Sequence, residues 1–179
     1  MRGTLEQVKH EFGTNVPLIG CEVGIFEGEH AREMFANFPY LFMYLVDSGD
    51  YMRQFRASIL IKNLQDFGTR ARFLNMTSLE AVNLVPDGRL DFIYIDGDHS
   101  EKGATDDIIA WYPKVKVGGV IGGHDYFSGH PGVMAAVTKF AKNNGIEIKT
   151  SAAPAPFSPC CMEGTDDWYF VKDARVIHG

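Results

Sequence analysis

Hydrophobic and polar positions along this chain fall into two alternating periods. Short, nearly unbroken apolar runs occur at Leu18–Gly24, Leu41–Val46, Leu90–Ile95 and Val120–Gly123. Runs of this length, bounded by Gly, Asp and Asn, predict strands buried on both faces, as in a parallel sheet. Shorter strands are expected at Ala71–Asn75, Ile146–Thr150 and Asp167–Lys172. Between them the apolar residues recur at helical spacing. Ala31, Met34 and Phe35 mark a helix over Gly28–Asn37; Phe55, Ile59, Leu60 and Leu64 mark one over Tyr51–Phe67, stopped by Gly68. Further helices are expected over residues 4–13, from Ser78, over Gly103–Tyr112, and from Pro131 to a cap at Asn143-Asn144-Gly145. Lys116-Val117-Gly118-Gly119 reads as a turn, and residues 152–165, rich in Pro, read as a loop. Alternating strands and helices predict an α/β sandwich around a mostly parallel sheet, with one domain spanning residues 1–179.

The polar residues fall where such a sheet binds ligands, beyond the carboxyl ends of its strands. Those ends carry Glu22–Gly28, Asp47, Asn75–Ser78, Asp96–His99 and His124–Asp125. Glu22-Val23-Gly24 leads from the first strand into Gly28 and a helix, so a Gly turn opens onto a helix N-terminus with free N–H groups. That arrangement cradles a nucleotide; an ordinary strand-to-helix turn has the same local pattern. Asp47 follows the second strand, some twenty positions beyond the turn, where a carboxylate accepts both hydroxyls of a ribose. Its other reading is an N-cap for the next helix. Capping explains poorly why Asp96, Asp98, His99, His124 and Asp125 gather after two strands.

Composition narrows the classes. A formal charge of −6 with no basic run argues against nucleic acid and anionic membrane surfaces as partners. No apolar run reaches membrane-spanning length, and the first residues lack the core of a signal peptide. Cys21, Cys160 and Cys161 are odd in number, which fits a reducing cytoplasm rather than a disulfide framework. The spacing of Cys160 and Cys161 matches no common zinc pattern.

Three segments carry a family resemblance. They are Glu22-Val-Gly-Ile-Phe-Glu-Gly28, Asp91-Phe-Ile-Tyr-Ile-Asp-Gly-Asp-His-Ser100, and Trp111 to Tyr126 with its Gly-His-Asp-Tyr ending. The chain resembles class I S-adenosylmethionine-dependent methyltransferases, and among them the methyltransferase domain 24 group. The resemblance spans roughly residues 18–172. It implies a Rossmann-like three-layer sandwich whose seven-stranded sheet has an antiparallel last strand inserted beside strand five. It also implies a cofactor site: Glu22, Gly24 and Gly28 on the methionine and ribose side, Asp47 on the ribose hydroxyls, Thr77 and Ser78 near the adenine, and Asp96 beneath the sulfonium.

Related O-methyltransferases hold a divalent ion at positions matching Asp96, His124 and Asp125. His124 departs from their acidic pattern and favours manganese, iron or zinc over magnesium. Without a metal, His99 or His124 would take the acceptor's proton. Glu101 stands where the family usually has an aromatic residue on the substrate side. The expected activity is methylation of a small hydroxylated molecule such as a sugar, with a second subunit completing the substrate pocket. The competing classes are a metal-dependent hydrolase built on the Asp/His cluster and a cofactor-binding protein without chemistry. An NAD-dependent oxidoreductase is disfavoured by the Gly24-x-x-x-Gly28 spacing. His10 and His30 are read as helix-surface residues, His130 as a solvated loop residue, and Trp111 and Tyr112 as core.

Overall fold

The computed structural model describes residues 2–49, 53–152 and 166–174. The chain runs α1 (Gly3–Phe12), β1 (Leu18–Val23), α2 (Glu29–Asn37), β2 (Leu41–Val46), α3 (Arg53–Leu64), β3 (Ala71–Leu74) and α4 (Ser78–Ala81). It continues through β4 (Leu90–Ile95), α5 (Glu101–Trp111), β5 (Val115–Gly123), α6 (Pro131–Asn144), β6 (Lys149–Ala152) and β7 (Asp166–Val171).

All seven strands form one sheet in the order β3-β2-β1-β4-β5-β7-β6. β1, β2, β3, β4 and β5 pair in parallel, and β7 lies antiparallel between β5 and β6. The antiparallel insertion beside strand five is as the resemblance implied. Each apolar run became a strand because each is covered on both sides. Every residue of β4 is buried, and β1 and β2 expose only their second residues in part. One apolar layer joins Leu5, Val8, Met34, Phe35 and Leu64 to Leu41, Met43, Leu45 and Phe92. The opposite layer joins Ile108, Trp111, Val133, Val137 and Phe140 to Val23, Val46, Ile93 and Ile121.

Four boundaries differ from the sequence reading. β5 begins at Val115, so residues 116–119 belong to the strand rather than to a turn. Its register against β4 slips between Leu90↔Val115 and Phe92↔Val120, which absorbs the extra residues as an irregularity. The Gly pair there is held by β7's end: the Gly118 N–H donates to the Lys172 carbonyl at 2.7 Å, and the Lys172 N–H to Gly119 at 2.8 Å. β6 starts at Lys149, because Ile146 and Ile148 pack onto the core from the preceding coil. α3 gives way after Leu64 to a 3-10 segment, Gln65–Arg70, that runs through Gly68; it places Phe67 against Phe35, ring centroids 4.9 Å apart. α5 starts at Glu101, two residues early, because the Ser100 hydroxyl caps it by accepting from the Gly103 N–H at 3.0 Å. The Pro-rich loop with Cys160 and Cys161, the start of the helix expected at Tyr51, and the Phe55 side chain lie outside the described residues. Cys21 is a buried free thiol within β1.

Candidate cofactor and methyl-transfer site

The turn after β1 crosses the carboxyl end of β4 closely enough to exclude any side chain. Gly24 has φ +85°, and a Cβ there would sit 2.0 Å from the Asp96 carbonyl oxygen. Gly28 has φ +76° and stands as the residue before α2, where a Cβ would strike Leu60 at 2.8 Å. Between them Phe26 is left-handed at φ 48° and 57% exposed, a conformation that costs a non-glycine residue energy and marks a constrained turn.

Asp47 braces this turn. Its Oδ2 accepts from the Ile25 and Phe26 N–H groups at 3.1 and 3.2 Å, and its Oδ1 accepts from Gly49 at 2.7 Å. Beyond lies a cavity of about 1270 Å³ along the sheet's carboxyl edge. Of the residues singled out from sequence, Gly24, Asp47, Thr77, Ser78, Asp96 and His99 line it. Glu22 and Gly28 lie behind the turn and do not reach its wall, and His124 and Asp125 adjoin it through His99. Among the described residues that line it, Asp47, Asp96, Asp98, Asp106 and Asp107 stand against one ammonium, that of Lys102. That field favours a cationic ligand.

Thr77 uses its groups locally. Its N–H and hydroxyl both reach Glu80 Oε2, at 3.0 and 2.7 Å, which opens α4. These bonds hold the Glu80 carboxyl below its ordinary range. Ser78 instead looks inward. Its Oγ accepts from the buried Trp111 Nε1–H at 2.8 Å.

The Asp/His group after β4 and β5 is one connected cluster. Asp125, left-handed at φ 63° and buried, is its hub. His99 Nε2 lies 2.9 Å from Asp125 and 3.5 Å from Asp96; His124 Nδ1 lies 3.0 Å from Asp125. Burial alone would raise the Asp125 carboxyl, but the bonds from His124 and His99 outweigh it and hold the group far below the usual range. The same contacts, from Asp125 first and Asp96 second, push His99 up to about 10. Asp96, His124 and Asp125 bring ligand atoms within 4.8 Å of one another, and so do His99, Asp125 and His130.

Three positions differ from their sequence reading or were missed by it. His130, read as a solvated loop residue, does lie in the loop before α6 with its side chain 35% exposed, but its ring is tilted against that of His99, centroids 4.5 Å apart, and its Nε2 lies 3.8 Å from Asp125. His30 is not on the helix surface. Its side chain is 9% exposed, and its Nδ1 meets Glu22 Oε1 at 2.8 Å; Glu22 Oε2 and His30 Nε2 are buried without a partner. Arg2 reaches across from α1 to bond the Tyr94 hydroxyl, and lies 3.8 Å from Asp96. Tyr94 in turn donates to Asp167 at 2.8 Å. These residues carry no local motif; only the packing of distant segments joins them.

Topology, glycine turn and acidic cavity together are those of the class I S-adenosylmethionine-dependent methyltransferase fold. A family model for a methyltransferase domain matches residues 21–126, and the chain belongs to that family, methyltransferase domain 24. Solved structures agree on the fold. The O-methyltransferase NovP is similar at TM-score 0.67 and 18% identity, over 95% of this chain and 78% of that one. Cofactor-bound Rv0187 from MTB is similar at TM-score 0.71 and 12% identity, over 95% and 78%. A precorrin-6y C5,15-methyltransferase from Geobacter metallireducens GS-15 is similar at 0.67 and 13%, over 93% and 86%. No curated protein sequence matches the chain. Among the described residues no helix is long and apolar enough to cross a membrane.

Proposed function

We propose that this protein is an S-adenosylmethionine-dependent O-methyltransferase acting on a small hydroxylated molecule, a sugar-like acceptor among them. The observation that carries this reading is the acidic cavity lined by Gly24, Asp47, Asp96 and His99. Gly24 lets the turn close onto the end of β4 beside the cavity, and the carboxylates suit a sulfonium. Among solved structures of the same fold, NovP is named as an O-methyltransferase.

The cofactor supplies an activated methyl group when bound. The chain's part is alignment and removal of one proton. Asp47 accepts the ribose hydroxyls from the turn it braces, and the Ser78 end of the cavity takes the adenine. Asp96 stands at the sulfonium end. His99, on the cavity wall, accepts the acceptor's proton, while Asp125 orients it and His124 fixes Asp125. Because the free protein holds His99 protonated up to about 10, activity that depends on it rises with pH toward that value.

A divalent ion fits the same cluster. Asp96, His124 and Asp125 supply two carboxylates and an imidazole within one reach, a donor set suited to manganese, iron or zinc more than to magnesium. There it would acidify and orient the acceptor hydroxyl. A hydrolase would use the Asp/His cluster but would leave the glycine turn and Asp47 without a role. The odd cysteine count supports a reducing compartment such as the cytoplasm. A second copy of the chain completing the substrate pocket belongs to the same reading, and a monomeric mass in solution counts against it.

Calorimetric titration with S-adenosylhomocysteine, run with chelator and again with manganese, tests the reading. Micromolar binding supports it, and a metal-dependent change in affinity places an ion at the Asp/His cluster. Absence of binding in both conditions overturns the cofactor assignment.

A further inference from the structure

His130 has no part in the chemistry above, yet the loop from β5 to α6 carries it back to the Asp/His cluster. The Phe127 N–H donates to the Asp125 carbonyl and the His130 N–H to the Phe127 carbonyl, both at 3.0 Å, so the chain turns twice between Asp125 and His130. The Phe127 ring stands edge-on to the His130 imidazole, centroids 5.2 Å apart. Gly132, at the second position of α6, packs against the approach to α5, where a Cβ would lie 2.5 Å from the His99 carbonyl oxygen. Two loops that follow different strands are thereby pressed together, and each brings one imidazole.

Those imidazoles flank one carboxylate. His99 Nε2 lies 2.9 Å from Asp125 Oδ2, and His130 Nε2 lies 3.8 Å from Asp125 Oδ1. One ligand atom from each of the three comes within 4.8 Å of the others. A tetrahedral zinc ion, with bonds of about 2.0–2.2 Å, spaces its ligand atoms about 3.4 Å apart, and the two measured distances straddle that value. Asp125 is already met by His99 at 2.9 Å and by His124 at 3.0 Å, and 3.8 Å is too long for His130 to bond it directly. A second imidazole held beside a carboxylate it does not reach gains a partner when a cation sits between them. Asp125 is buried while both histidines reach solvent, so the charged ligand is anchored inside and the opposite side of the ion is left open.

We infer that His99, Asp125 and His130 form a site for a zinc-class divalent ion, held by two imidazoles and one carboxylate with a fourth position left to water. The site shares only Asp125 with the Asp96–His124–Asp125 set and draws its two nitrogen ligands from separate loops. Imidazole suits zinc, iron, nickel and copper, whereas magnesium keeps to oxygen ligands. Three protein ligands with an open fourth position leave the ion accessible from solvent. The inference holds whether or not the cavity takes S-adenosylmethionine.

The test is calorimetric titration of the chelator-treated full chain with zinc, repeated with cobalt(II) and followed by visible absorption, with melting curves in chelator as the check on folding. Wild type is expected to bind zinc, and cobalt is expected to show the bands of a tetrahedral nitrogen and oxygen set without a thiolate-to-metal band. Losing an outer partner of a metal site costs about 10- to 100-fold in affinity, and losing a ligand costs more. H130Q is therefore expected to weaken zinc at least about 100-fold, whereas D96N, which removes a ligand of the other set alone, should weaken it by no more than about tenfold. If H130Q does not fold, H99Q carries the test with the same expected loss. Absence of binding by wild type, a thiolate band, or affinity unchanged in H130Q overturns the site. A loss in D96N as large as that in H130Q overturns it as well, and a loss in D96N alone gives the ion to Asp96, His124 and Asp125.

Discussion

His99 is held in place by opposite charge, and its stability consequence has a definite sign. Its folded value, near 10, lies above its ordinary 6.5. A raised value means the imidazolium is better stabilised in the folded protein than in the unfolded one. The contribution is therefore full below about pH 6.5 and is lost as pH rises toward 10. The Asp125 carboxyl, held low, contributes above the ordinary carboxylate range and loses that contribution as pH falls. H99Q should accordingly melt below wild type near neutral pH, with the gap closing toward the alkaline end. Melting curves between those limits measure it, and a gap that stays constant with pH would show that His99 is not charged in the cluster. Sequence brought Asp96, His99, His124 and Asp125 to one edge of the sheet, because they follow β4 and β5 within a few residues and the apolar runs fix where those strands end. It missed Arg2 and misplaced His30. Arg2 meets Tyr94 across 92 positions of chain, and no local pattern encodes such a meeting.

At the level of elements, β2 and β4 were legible because burial on both faces writes an unbroken apolar run. The start of β5 was not, since Gly118-Gly119 has the composition of a turn and becomes strand only through its pairing with Lys172. Strand order came from the family resemblance and not from periodicity, which says nothing of which strands are neighbours. α5 matters most to the site, because one element carries the Ser100 cap at its start, Asp107 on its inner face and Trp111 at its end. S100A removes the acceptor for the Gly103 N–H, a loss of about 1 kcal/mol for such caps. For a chain of this size that lowers the melting temperature by about 2–4 °C. An unchanged midpoint in urea and heat would mean that water replaces the cap and that α5 does not depend on it.

The whole molecule is acidic, with a formal charge of −6, and the cavity concentrates that sign. The methyl donor carries a sulfonium, whereas the demethylated product lacks that charge, so the protein's field attracts the donor more than the product. In the proposed reaction that difference would help product leave after transfer. Salt should weaken it, because the Debye length shrinks from about 30 Å at 0.01 M to about 3 Å at 1 M. Sinefungin, a stable amine analogue that keeps the extra positive charge, is the probe for the donor. Its affinity is expected to fall with added salt more steeply than that of neutral S-adenosylhomocysteine, and the two should converge in high salt. Parallel slopes for the two ligands would mean that the carboxylates lining the cavity are screened or paired in the complex. Discrimination would then rest on contacts at the sulfonium itself, with Asp96 the nearest acid to it in the proposed arrangement.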